Sequence, residues 1–143
     1  MRAKILFTTF LSYALTVVAI TLFPIHPHPS AYWTGEPWWT VLRWIPGDVD
    51  TPSFVLNVIM LIPFGVLLPL LARAADSVSR MALLAVLASS GIELAQFLLG
   101  VTVGSRRTVD INDLIANTLG ALIGLFILRL ALPHAAHRRL IRP

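Results

Sequence analysis

Glu93 and Gln96 lie inside an apolar stretch, and Asp113 and Asn117 open the next one. Ser89, Glu93, Gln96 and Gly100 follow one another at i, i+4, i+7 and i+11, and Asp113, Asn117, Gly120 and Gly124 repeat that spacing. On a helix each set shares one face. Arg106, Arg107, Asp110 and Asn112 lie between the two stretches, and Asn57 marks an earlier one. Carboxylates at such positions can act as general acids and bases, or with other oxygens hold Mg²⁺ or Ca²⁺. Guanidinium groups bind phosphate or carboxylate through paired N–H donors. The set contains no Cys or His and no recognisable nucleophile motif. Binding is therefore expected over catalysis, with no cofactor, and an enzyme using Glu93, Asp110 and Asp113 is the alternative.

Each residue also has a purely structural reading. Asp110 followed by Asp113 has the form of a helix N-cap with an acidic residue in the first turn. Asn57 and Asn117 can join helices by hydrogen bonds, and Gly120-x-x-x-Gly124 can form a close-packing face. Glu93 has no comparable local role. Ionisable groups inside membrane segments face a bundle interior or a wet cavity. If Arg106 or Arg107 folds back over Glu93, the two form an ion pair; if neither reaches, Glu93 is expected to be protonated and to donate a hydrogen bond. Both arginines sit where topology disfavours positive charge, so pairing with Asp110, Asp113, Glu93 or an anionic head group explains them better than membrane anchoring.

The elements that position these residues are read from hydropathy. The chain has 143 residues, 57% of them hydrophobic and 13% charged, with a mean hydropathy of +0.80. Apolar stretches at about 5–23, 53–72, 81–100 and 111–132 are each long enough to cross the ~30 Å hydrocarbon core as a helix. An all-α, four-helix transmembrane bundle is predicted, as a single domain over 1–143. The first stretch follows Arg2 and Lys4, lacks a small-residue cleavage pattern before Pro24, and is read as a retained helix. There are no cysteines, which excludes disulfides and thiolate metal sites.

Of the 11 basic side chains, eight (Arg2, Lys4, Arg73, Arg80, Arg129, Arg138, Arg139 and Arg142) belong to one side, and Arg43, Arg106 and Arg107 to the other. The balance predicts that both termini are cytoplasmic. It also explains the pI near 10.7 without nucleic acid. The first outward loop, 24–52, carries all four tryptophans. Pro37 is predicted to begin a short helix that presents Trp38, Trp39, Leu42 and Ile45 on one side as an aromatic belt. His26 and His28 have no third ligand nearby and make a weak zinc site.

By the 1.5 Å rise, Glu93 is about 10 Å, Asn117 about 9 Å and Asn57 about 6 Å below the outer ends of their helices. All three fall in the outer half of the membrane, so one shared outward pocket is predicted, containing Asn57, Glu93, Gln96, Arg106, Arg107, Asp110, Asp113 and Asn117.

The ordered set Asn57…Pro63-Phe64-Gly65, Glu93-x-x-Gln96-Phe97 and Arg107-x-x-Asp110-x-x-Asp113-x-x-x-Asn117-x-x-Gly120 resembles the VanZ-like family of small bacterial membrane proteins, over roughly residues 5–130. The resemblance implies a multi-pass protein of the bacterial plasma membrane and cell envelope. The family's named member is associated with low-level resistance to teicoplanin-type glycopeptides. The expected partners are membrane lipids or lipid-linked envelope precursors. A homo-oligomer or a membrane-protein partner is a further possibility, and a small transporter would require the oligomer.

Overall fold

The computed structural model describes residues 2–25, 39, 42–103 and 108–132. Four helices dominate: α1 (Arg2–Leu22), α2 (Thr51–Leu71), α3 (Val78–Val103) and α4 (Ile111–Ala131). Each is long and apolar enough to cross a membrane. The side chains of Leu56, Leu83, Leu87, Leu94 and Leu130 are exposed on their outer faces, as expected where lipid is the solvent. A turn of 3-10 helix at Arg73–Ala75 joins α2 to α3.

α2 and α4 begin on N-caps. The Asp50 carboxylate accepts the N–H of Ser53 at 3.2 Å, and Pro52 sits in the first turn, where a missing N–H costs nothing. The Asp110 carboxylate accepts the N–H of Asn112 at 2.9 Å, with Asp113 in the first turn, as the sequence predicts.

α4 is the most enclosed helix. It runs parallel to α2 at very short range: a Cβ on Gly120 would overlap the carbonyl of Val58, one on Gly124 that of Ile62, and one on Gly65 that of Ala121. Its other side packs antiparallel on α3, where Met81, Ala85, Ser89, Glu93, Gln96 and Gly100 form a continuous buried stripe. The core comprises Ala75, Met81, Ala85, Ala121 and Leu125, with Phe64 and Leu68 against it. α1 is held more lightly. The Tyr13 hydroxyl donates to the Met60 carbonyl at 2.7 Å, and Phe10 meets Phe64 with ring centroids 6.1 Å apart.

Two features depart from the hydropathy reading. α3 continues through Val103 rather than stopping at Gly100, because a glycine within an apolar run weakens a helix by only about 1 kcal/mol. Leu42 is not part of a tryptophan-bearing helix. Leu42–Arg43 (β1) pairs in parallel with Val109–Asp110 (β2), Leu42 opposite Val109 and Arg43 opposite Asp110. The ladder satisfies backbone groups that a helix cannot serve there. Trp39 and Trp44 are exposed, whereas Trp33, Pro37, Trp38 and the two loop histidines lie outside the described residues.

At the far end of the bundle Arg129, in the last turn of α4, donates its Nε–H to Asp76 Oδ1 at 3.1 Å and an Nη2–H to the Asp76 carbonyl at 3.2 Å. Both side chains are partly exposed, so Arg129→Gln should lower stability by only about 1 kcal/mol or less in a detergent unfolding titration.

Candidate functional site

The site is built where α2 and α4 begin and α3 continues past them. The Glu93 carboxylate accepts the backbone N–H of Asp110 at 3.3 Å, so the first turn of α4 is level with Glu93. α3 runs ten residues further, to Val103, about 15 Å at helical rise. The starts of α2 and α4 are thus recessed beside a taller helix. Irregular backbone at such depth must be satisfied by protein or line a cavity. Here the β1–β2 ladder and one side chain, Asn112, do this work.

Asn112 is 3% exposed and clamps the 45–48 turn onto the head of α4. Its Oδ1 accepts the N–H of Gly47 at 2.9 Å, and its Nδ2 donates to the carbonyls of Ile45 and Asp48, both at 3.2 Å, and to Asp110 Oδ1 at 2.8 Å. Gly47 has φ +94°, a conformation that side chains with a Cβ rarely adopt, so the turn is committed to glycine. The same clamp fixes Arg43, whose guanidinium lies 4.0 Å from Asp110 Oδ2.

Two clefts meet at the Arg43–Asp110 pair. One, about 350 Å³, is almost wholly apolar and lies between α3, α4 and β1, lined by Trp44, Glu93, Leu94, Phe97, Ile111 and Leu114. The other, about 250 Å³, is polar and lies between the starts of α2 and α4, lined by Asp50, Ser53, Thr108, Asn112 and Asp113. Arg43 and Asp110 line both. Asn57 approaches the Asp113 carboxylate from α2.

The family model of VanZ/LLP1 matches residues 10–132. The chain belongs to the VanZ/LLP1 family. Comparison with curated proteins and with solved structures gives no match. In this VanZ/LLP1 chain the predicted pocket residues divide into four groups. Glu93, Asp110, Asp113 and Asn57 gather around the two clefts. Gln96 shares their stripe but turns to α1, donating Nε2–H to the Thr21 carbonyl at 3.0 Å and so capping the end of that helix. Asn117 lies deeper, its Nδ2 donating to Ser89 Oγ at 2.8 Å, and its buried Oδ1 has no partner among the described residues. Arg106 and Arg107, which could pair with Glu93 if either folds back over it, lie outside the described residues. Arg43, Asp50 and Asn112 are polar residues around the clefts that the predicted pocket omits. Among the described residues no three His, Cys, Asp or Glu side chains converge as a metal-ligand set.

Proposed function

We propose that this VanZ/LLP1 protein binds an envelope lipid or lipid-linked cell-wall intermediate at the end of the bundle where α2 and α4 begin. One observation carries the reading: an apolar cleft and a polar cleft meet at a single charged pair, Arg43–Asp110. An amphiphile has the same division, a chain for the first and a head for the second. Of the basic side chains the structure describes, Arg73, Arg80 and Arg129 lie at the opposite end from Arg43. That distribution supports an outward-facing site, cytoplasmic termini and a plasma-membrane location. Exposed Trp39 and Trp44 support an interfacial belt beside it. Occupancy there would change how cell-wall precursors are presented outside, the route by which the chain would contribute to glycopeptide resistance.

Glu93→Gln is the test, because Gln keeps an acceptor for the Asp110 N–H while removing the charge. Unfolding in detergent should stay within about 1 kcal/mol of the parent, while retention of co-purified lipid falls. Unchanged lipid retention would remove Glu93 from the site. Turnover of a lipid-linked substrate that is abolished by the same change would establish the enzyme instead.

A further inference from the structure

We infer that the head group taken by the polar cleft is zwitterionic, an oxyanion such as phosphate joined to a protonated amine. The oxyanion meets Arg43 and the amine meets Asp113 and Asp50. The inference deepens the amphiphile reading and rests on it.

The cleft is not a uniformly acidic surface. Arg43 lines it as well, and its side chain is 53% exposed. Its approach to Asp110 Oδ2 is 4.0 Å, beyond hydrogen-bond length, which leaves guanidinium N–H donors for an incoming oxyanion. Asp110 is committed to the fold: its Oδ1 takes both the N–H and the Nδ2–H of Asn112, and its side chain is only 11% exposed. Asp50 and Asp113 line the same cleft. Asp50 gives Oδ2 to its capping bond with Ser53, and the Asp113 carboxylate is approached by Asn57. Each carboxylate retains acceptor capacity.

The cleft therefore presents both signs of charge within one cavity. Among its described lining residues three carboxylates accompany one guanidinium. A purely anionic head would satisfy Arg43 and be repelled by Asp50 and Asp113. A neutral polyol would bring no cation to the excess of carboxylates. A head that carries both signs a few atoms apart supplies a partner for the guanidinium and for the carboxylates. The source is indicated by the neighbouring apolar cleft, whose lining residues Leu94 and Trp44 are 57% and 68% exposed on a bundle of helices apolar enough to cross a membrane. A chain lying there enters from the bilayer, so the zwitterion is the head of a membrane lipid.

The test uses the full chain in mild detergent, mixed with equal amounts of phosphatidylethanolamine and phosphatidylglycerol of matched acyl chains, with bound lipid counted by native mass spectrometry. Phosphatidylethanolamine should be retained about fivefold over phosphatidylglycerol, equivalent to about 1 kcal/mol. Asp113→Asn should bring the ratio close to one, and Arg43→Gln should lower retention of both lipids. Where Asp113→Asn fails to fold, Asp50→Asn gives the same comparison. Equal or greater retention of phosphatidylglycerol by the parent would overturn the zwitterion and leave the amphiphile reading standing. Retention of neither lipid above a detergent-only background would overturn both.

Discussion

Gly120→Ala should destabilise the protein by about 3 kcal/mol or more, at the upper end of what overpacking costs. The added Cβ would overlap the carbonyl of Val58, and the carbonyl carbon lies 2.9 Å away, so two helix backbones must separate. α2 and α4 have no compliant side chain at that point to yield. Gly91→Ala is the matched control, since its Cβ meets nothing within 4 Å and the change favours the helix. Reversible unfolding in mixed detergent should place Gly120→Ala well below the parent and Gly91→Ala at or slightly above it. If the two variants unfold together, the helices do not approach as closely as described.

Asn112→Ala should have the largest effect on the site. One truncation removes the acceptor of the Gly47 N–H and the donor to the carbonyls of Ile45 and Asp48. These groups are part-buried, and stranding such groups costs about 1–3 kcal/mol each before water re-enters. The 45–48 turn should detach while the helices remain packed. Amide exchange should therefore accelerate at Gly47 and be unchanged at Leu125 in the core. Lipid retention should fall with it, because Arg43 and Trp44 lose their anchorage. Protection at Gly47 equal to the parent's would mean that the β1–β2 pairing alone holds the turn.

The helices and the N-cap at Asp110 were legible because each is encoded locally. An apolar run of about 20 residues has few alternatives, and Asp110 with Asp113 announces the start of α4 within one turn. The stripe Ser89–Glu93–Gln96–Gly100 was legible as a buried face for the same reason. It did not reveal that Gln96 serves α1, because a helical face spans more than one neighbour. Arg43 and Asn112 were missed on other grounds. Their partnership joins chain segments 64 to 67 residues apart, within a loop whose strands are two residues long. No periodicity can register over so short an element. Arg43 consequently read as a loose charge on the outward side.

α3 has 26 residues against 21 in each of its three neighbours. At helical rise that is about 39 Å against about 32 Å. A flat bilayer cannot match both lengths. If its apolar thickness suits α3, the heads of α2 and α4 lie beneath its surface and a thinned collar must form around them. If it suits the shorter helices, Phe97 through Val103 must tilt or protrude among the head groups. Hydrophobic mismatch costs fractions of a kcal/mol per ångström, enough to give the protein a preferred bilayer thickness and to bend the leaflet beside its own apolar cleft.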